Sequence, residues 1–147
     1  MEDLKPAVDT IQESLQKFKN IFDGTIDTIL IGDPQSKSIY MANKTACKML
    51  GYNQEELTKL EIKDIHPEEA MPRIMKEIGK LMCGEITLAK DIPVKRKDGS
   101  IFYADINASP ITLDGKTYGM GIIRDITERK KAEEALAKSE RLYRVFI

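Results

Sequence analysis

Three consecutive segments in the C-terminal half of the chain have the alternating pattern of β-strands. They cover residues 92–97, 101–110 and 117–127, and an Asp-Gly pair lies in each of the two intervals between them. Asp-Gly is a strong signal for a tight turn between antiparallel strands. The pattern therefore predicts a meander of three antiparallel strands.

The two faces of this predicted sheet differ in character. The middle segment is apolar at the even-numbered positions from 102 to 108 and mostly polar on the other face. The last segment has Tyr118, Met120 and Ile122 on one face and Gly119, Gly121 and Ile123 on the other. Because side chains alternate between the faces of a strand, we expect both faces to be covered. Pro93 cannot donate to a ladder, so the first segment should be an edge strand.

A helical stripe precedes the sheet. Apolar residues recur every three or four positions between Lys5 and Phe22, namely at Val8, Ile11, Leu15, Phe18 and Phe22. This spacing is closer to a coiled-coil seam than to the broad face of a core helix. We expect the helix both to pair with its copy in a homodimer and to cover the outer face of the sheet over Tyr118, Met120 and Ile122.

The segment between this helix and the meander predicts two strands and several helices. The strands are 28–33 and 38–42, and the helices are 44–50, 54–60 and 72–84. Asn43 has the position of an N-cap and Gly51 that of a left-handed helix end. Asn53 with Glu56 three residues later is a capping-box pattern. These signals favour short helices that pack on one face of the sheet.

The C-terminal end favours a long helix beyond residue 128. It carries a weak coiled-coil stripe with 3-4 spacing, formed by Arg129, Ala132, Leu136, Ser139, Tyr143 and Phe146. We expect this linker, like the N-terminal helix, to contribute to the homodimer. Residues 142–146 repeat the spacing of aromatic and aliphatic side chains found in residues 18–22. This repeat suggests that a second domain of the same kind starts there.

Composition narrows the function classes. The 147 residues are enough for one ordinary domain, and the formal charge of -1 gives no basic excess for nucleic acid or an anionic membrane. No apolar run approaches the ~20 residues that span a bilayer, and no signal-peptide pattern is present, so we expect a cytoplasmic fragment. Cys47 and Cys83 have no metal or redox spacing, and reduced thiols are the expectation.

Several motifs resemble the PAS domain, or sensory box, of prokaryotic multi-domain signalling proteins, notably sensor histidine kinases. They are Asp33-Pro34, residues 41–43, residues 50–57, Ile65-His-Pro-Glu68, Lys97-Asp-Gly-Ser100 and residues 123–136. The resemblance implies an α+β fold, with a five-stranded antiparallel sheet, short helices on one face and flanking N- and C-terminal helices. It divides the chain into an amphipathic helix (1–22), the PAS domain (23–127), a coiled-coil linker (128–141) and the start of a further domain (142–147).

The resemblance also implies an internal cavity, and the matching positions are almost all apolar. The expected lining is Leu30, Ala46, Leu50, Ile74, Ile78, Met82, Ile92, Val94, Phe102, Ala104, Ile106 and Ile123. Such a lining fits a packed core with nothing bound or a site for a small apolar ligand. Haem is disfavoured because the helix over 72–84 has no histidine. Photochemical flavin is disfavoured because the cysteine motif and the amides of flavin-binding relatives are missing.

Two further sites carry candidate chemistry. Asp125 and Thr127 resemble the signal-transfer motif of the family, and either could cap the helix that starts near Glu128. His66, the single histidine, has Pro67 after it and no nucleophile motif beside it, so we interpret it as a polar structural residue between two short helices. A metal site built from His66, Glu69 and Cys83 is not indicated, and no catalytic residue is predicted.

The resulting hypothesis is a non-catalytic sensory module. It binds a small molecule or mediates dimerisation, and it passes a signal through its C-terminal helix to an output domain, expected to be a histidine kinase of a two-component system. Two alternatives stay open: a structural dimerisation or spacer module without a ligand, and a sensor for a diguanylate cyclase output.

Overall fold

The computed structural model of the protein describes residues 4–146. The first three residues of the predicted N-terminal segment and Ile147, the last residue of the predicted further domain, lie outside the described residues. Helices and strands follow in the order α1 (Lys5–Gly24), β1 (Thr28–Gly32), β2 (Ile39–Ala42), α2 (Lys44–Leu50), α3 (Gln54–Thr58), α4 (Met71–Met82), β3 (Ala89–Lys95), β4 (Ile101–Leu113), β5 (Lys116–Asp125) and α5 (Thr127–Val145). Two 3₁₀ turns, Ile62–Ile65 and Glu68–Ala70, lie between α3 and α4.

The five strands form one antiparallel sheet in the order β2-β1-β5-β4-β3. The predicted meander is confirmed, with β4 paired to β3 on one side and to β5 on the other. Pro93 lies in β3, which is an edge strand as its missing N–H donor requires. The α+β fold predicted from the sequence is therefore confirmed.

Local capping signals begin α2 and α3, and end α2, where the sequence predicted. The Asn43 side chain accepts a hydrogen bond from the Ala46 N–H, and Gly51 adopts φ 83° at the end of α2. Asn53 and Glu56 form a reciprocal capping box at the start of α3. Helix α3 ends at Thr58, two residues before the predicted end. The N–H groups of Lys59 and Leu60 bond to the carbonyl oxygens three residues earlier, which closes a tight turn and does not continue the α-helix.

The inner face of the sheet packs against α2, α3 and α4 to form the main core. Inward side chains alternate along the strands: Ile92 and Val94 on β3, and Phe102, Ala104 and Ile106 on β4, are all buried. The core continues into the helices through their buried side chains, Ala46, Leu50, Leu57, Ile74 and Leu81. This face supplies most of the buried apolar area and positions the cavity described below.

The outer face of the sheet is covered less than the sequence led us to expect. Its cluster is centred on Ile31 and Tyr118, and Phe22 is the α1 side chain that joins it. The other apolar residues of the α1 stripe are exposed, from 45% at Phe18 to 67% at Ile11. The prediction that α1 lies over Tyr118, Met120 and Ile122 is therefore wrong except at its last turn.

Hydrogen bonds explain why only the end of α1 is fixed. Asn43 donates to the Phe22 carbonyl oxygen at 2.8 Å, and the Lys44 N–H donates to an Asp23 carboxylate oxygen at 3.0 Å. These contacts hold the C-terminal turn of α1 against the start of α2. The preceding turns present their apolar stripe to solvent.

Candidate functional site

A cavity of about 120 Å³ lies between the inner face of the sheet and the segments Ile62–Ile65 and α4. Its walls are almost wholly apolar, and His66 contributes the one ionisable side chain among the lining residues. Those residues are Leu30, Gly32, Pro34, Ile39, Ile62, Ile65, His66, Ile78, Met82, Ile106, Ala108, Gly119, Gly121 and Ile123.

The structure separates the predicted lining into two groups. Five of the predicted residues border this cavity: Leu30, Ile78, Met82, Ile106 and Ile123. The other seven are buried side chains of the packed core and do not border it: Ala46, Leu50, Ile74, Ile92, Val94, Phe102 and Ala104. These seven side chains pack against one another in the main core. Ligand binding by any of the twelve stays a prediction.

Glycines on β5 explain why the space lies where it does. Gly119 and Gly121 are on the inner face and lack the side chains that would fill the volume beside α4. A Cβ atom built at Gly119 would lie 3.3 Å from the sulfur of Met82. We expected these glycines on the same face as Ile123 but did not include them in the lining. Their alternation with Tyr118 and Met120 is the sequence signal that could have located the cavity.

His66 is buried in the cavity wall at 2% exposure. Its Nδ1 lies 2.8 Å from the Pro93 carbonyl oxygen on β3. Burial lowers the pKa of the imidazole, and the hydrogen bond to Pro93 offsets part of that effect. The ring therefore ties the segment between the two 3₁₀ turns to the edge strand, in agreement with its interpretation as a structural polar residue.

A second, polar depression lies on the other side of His66. It has a volume of about 510 Å³ and shares Ile62 and His66 with the apolar cavity. Its remaining lining is Lys37, Glu61, Lys63, Asp64, Glu68, Met71, Met75 and Lys95. His66 and Ile62 thus stand between an apolar interior space and a charged surface groove.

Asp125 and Thr127 meet at the start of the outgoing helix. The Thr127 N–H donates to Asp125 Oδ1 at 2.8 Å, and the Thr127 hydroxyl donates to the same oxygen. Asp125 is the residue that satisfies a free donor of the first turn of α5, which begins at Thr127. The proposed role of the pair in signal transfer stays a prediction.

A second attachment of α5 was not foreseen from the sequence. Arg129 Nη1 donates to Asp105 Oδ2 at 2.9 Å, and Asp105 on β4 is 6% exposed. The carboxylate raises the pKa of the Arg129 guanidinium. Beside this ion pair, the Ile126 N–H donates to the Tyr103 carbonyl oxygen at 3.0 Å, and Lys130 Nζ lies 4.0 Å from the Tyr103 ring centre.

The same aspartate also contacts an irregular point of β3. Asp91 has φ 55°, an unusual value for a residue other than glycine, and lies where the register of β3 shifts against β4. Its N–H donates to Asp105 Oδ1 at 3.3 Å. From α4, Arg73 Nη2 donates to the Lys90 carbonyl oxygen at 2.9 Å. Polar contacts therefore connect α4, β3, β4 and α5 in sequence.

Metal-binding groups, cysteines and membrane-spanning helices are the remaining features with functional consequences. Among residues 4–146, no group of three His, Cys, Asp or Glu side chains could hold a metal ion. Cys47 and Cys83 are not joined in a disulfide. Cys47 is partly buried, which raises the pKa of its thiol, whereas Cys83 is exposed. Over the described stretch, no helix combines the length and the apolar character needed to cross a bilayer.

Comparison with known proteins identifies similar sequences and folds. A family described as the PAS domain matches residues 26–128. The methyl sulfide methyltransferase-associated sensor of Methanosarcina acetivorans is 31% identical over 129 residues, which are 88% of this chain and 13% of that protein. Sporulation kinase E of Bacillus subtilis is 26% identical, over 97% of this chain and 19% of that protein.

Two further matches widen the comparison. The diguanylate cyclase DgcM of Escherichia coli K12 is 34% identical over 74% of this chain and 26% of that protein. The crystal structure of the PAS domain of an HTR-like protein from Haloarcula marismortui superposes with a TM-score of 0.71 at 20% identity, over 83% of this chain and 99% of that one. The chain thus spans about a quarter or less of the length of these three curated relatives.

Proposed function

Because this chain belongs to the PAS domain family, we propose that it is a cytoplasmic sensory module of a larger signalling protein. In this proposal a small apolar molecule occupies the cavity, and its presence changes the position of α5 relative to the sheet. Helix α5 then passes the change to an output domain. The observation that carries the proposal is the continuous set of polar contacts from α4, which borders the cavity, to the first turn of α5.

The path begins at the cavity wall. Ile78 and Met82 of α4 border the cavity, and Arg73 of the same helix holds the carbonyl group of Lys90 in β3. A shift of α4 on ligand entry would therefore move the irregular segment of β3 around Asp91. Small displacements of packed helices of this kind are a common element of switching proteins.

The path ends at α5. The Asp105 carboxylate accepts hydrogen bonds from the Asp91 N–H and from Arg129, so it responds to β3 and acts on α5. The pairing of Asp125 with Thr127 and the Ile126–Tyr103 hydrogen bond fix the point about which α5 would tilt or rotate. In this proposal Asp105 links β3 to α5, and Asp125 with Thr127 holds the first residue of α5 in place.

The helices support a homodimer as the working form. Exposed apolar residues recur along both flanking helices: Val8, Ile11, Leu15 and Phe18 on α1, and Leu136 and Tyr143 on α5, with Phe146 directly after its end. Burying such stripes against a second copy would stabilise the dimer and align the two outgoing helices. The output domain is proposed to be a histidine kinase, since sporulation kinase E matches nearly the whole chain; a diguanylate cyclase is the alternative.

One observation favours a second candidate function, that of a structural spacer without a ligand. Seven of the twelve expected lining residues are buried in the packed core and do not border the cavity, whose volume is only about 120 Å³. A spacer would keep the attachment of α5 but would not respond to small molecules.

An experiment with benzene separates the two functions. A cavity of about 150 Å³ lined by aliphatic side chains is known to bind benzene, so benzene is a suitable first probe. Chemical shifts of the Ile78, Ile106 and Ile123 methyl groups report occupancy, and hydrogen exchange at residues 126–130 reports the state of α5. The sensor predicts changes in both, whereas the spacer predicts no change in hydrogen exchange at residues 126–130 even if benzene enters the cavity.

Variants of the ion pair test the path itself. In Arg129→Met, benzene should still shift the methyl resonances, but the change in exchange at residues 126–130 should be lost. Arg141→Met removes the same type of side chain from an exposed position of α5 and should behave as the wild type. An Arg129→Met protein that transmits the change normally would rule out this route.

A further inference from the structure

We propose that His66 is the hydrogen-bond acceptor of this cavity, and that its ligand is a compact apolar molecule with one O–H or N–H donor, such as a phenol or a small cyclic alcohol. The inference rests on the proposed sensory function, which left the chemical class of the ligand open. It is carried by the state of the His66 ring and by the composition of the cavity wall.

The hydrogen bond to Pro93 determines the tautomer of His66. A carbonyl oxygen can only accept, so Nδ1 must carry the proton of the 2.8 Å contact. Burial lowers the pKa of the imidazole, so the ring is neutral at neutral pH. In a neutral imidazole with a proton on Nδ1, Nε2 has a free lone pair. His66 therefore offers an acceptor and cannot offer a second donor.

Nε2 has no hydrogen-bond partner in the part of the chain that the structure describes. Among residues 4–146, the Nδ1 contact is the hydrogen bond made by the His66 ring. Within the same residues, no fully covered side-chain nitrogen or oxygen lacks a hydrogen-bond partner. Nε2 must therefore face open space although the residue is 2% exposed. The ring borders two open spaces, the apolar cavity and the charged groove, and we assign Nε2 to a ligand in the cavity.

Size and polarity restrict the rest of the ligand. The volume of about 120 Å³ is close to that of cavities that hold one benzene ring. Every other side chain at the wall is aliphatic, a methionine, a proline or a glycine. Such walls offer nothing to a charged group or to a second polar group, and each unpaired polar group would weaken binding. A single donor on an apolar body is the composition that matches both the wall and His66.

Phenol and toluene form a matched pair of probes for this proposal. They have nearly the same size and shape, and they differ in the presence of a hydroxyl donor. Calorimetric titration of the whole chain should give phenol an affinity about fivefold higher than that of toluene, after correction for their different transfer from water, as expected for one net hydrogen bond. In His66→Phe, which keeps an aromatic ring, the preference should disappear while toluene still binds.

The single histidine gives a direct readout that does not depend on affinity. Histidine labelled with ¹⁵N produces one imidazole spin system, because His66 is the sole histidine in the sequence. On addition of phenol the resonance of Nε2 should move upfield, as for a nitrogen that accepts a hydrogen bond, and toluene should leave it unchanged. Ala108→Leu, which places a larger side chain at the cavity wall, should abolish the effect of both probes.

The outcomes separate this inference from the proposed function. Equal corrected affinities with an unchanged Nε2 resonance would overturn the role of His66 while the cavity remained a binding site. A phenol effect that persists in Ala108→Leu would place the acceptor in the charged groove and would also overturn the inference. Failure of both probes to bind would overturn the inference and would remove the main support for ligand sensing.

Discussion

The ion pair between Arg129 and Asp105 gives a stability prediction that tests the attachment of α5. Asp105 is 6% exposed, whereas the Arg129 side chain is 52% exposed. Breaking a fully buried pair costs about 3–5 kcal/mol, and an exposed pair contributes about 0–1 kcal/mol. This half-exposed pair lies between these limits, because the carboxylate is buried but the guanidinium keeps much of its water. We expect Arg129→Met to lower the free energy of unfolding by about 1–2 kcal/mol.

Urea and thermal unfolding measure this change. For a domain of this size, about 1–2 kcal/mol corresponds to a Tm lower by roughly 3–6 °C. Arg141→Met is the matched control on the exposed part of α5 and should leave Tm within experimental error. The double-mutant cycle with Asp105→Asn isolates the pairwise contribution, since asparagine keeps an oxygen for the Asp91 N–H.

A clear result would refute the reasoning. If Arg129→Met unfolds at the wild-type urea concentration, the ion pair does not stabilise the attachment of α5. If both single variants are destabilised but the cycle shows no coupling, each side chain acts through other contacts. In either case the proposed path from the sheet to α5 would lose its last step.

Three further predictions concern the polar contacts and the cavity. Asn43→Ala should destabilise the protein by about 3 kcal/mol or more in urea unfolding, because the buried amide makes four hydrogen bonds; Asn53→Ala, at an exposed cap, should cost about 1 kcal/mol. Gly119→Ala should fold normally, because Met82 is flexible, but should weaken benzene binding in an NMR titration; Gly79→Ala, with open space around it, is the control. The neutral state of His66 contributes stability above its unfolded pKa of about 6.5, and this stability should be lost as the pH falls through the lowered folded pKa. Unfolding measured between pH 8 and 5 should show that loss in the wild type and a smaller one in His66→Asn.

The junction at α5 shows where prediction from sequence succeeded in part. Asp125 and Thr127 are two residues apart, so their contact could be expected from local chain geometry. Arg129 and Asp105 are separated by 24 positions, and their contact depends on where α5 leaves the sheet. Asp105 lies on the polar face of its strand and Arg129 in a weak helical stripe, and neither pattern identifies the partner of the other.

For the N-terminal helix, the sequence predicted the helix itself but not the surface that it contacts. Its amphipathic stripe correctly predicted a helix, because hydrophobic periodicity is a property of consecutive residues. The same stripe could not show whether it faces the sheet, since that depends on the hydrogen bonds of Asn43 and Asp23 that fix the direction of the last turn. The structure leaves most of the stripe exposed, against the expectation that it covers the sheet.

The sequence by itself determined the strands, the turns between them, the capped short helices and the edge position of β3. Each follows from interactions within a few residues or from the alternation of apolar side chains. Tertiary structure alone decided which apolar positions border the cavity and which pack solidly. A cavity is the volume left when distant elements meet, and here that volume depends on Gly119, Gly121 and the position of α4 together. The acceptor state of His66 likewise follows from the carbonyl group of Pro93, 27 residues away in the chain.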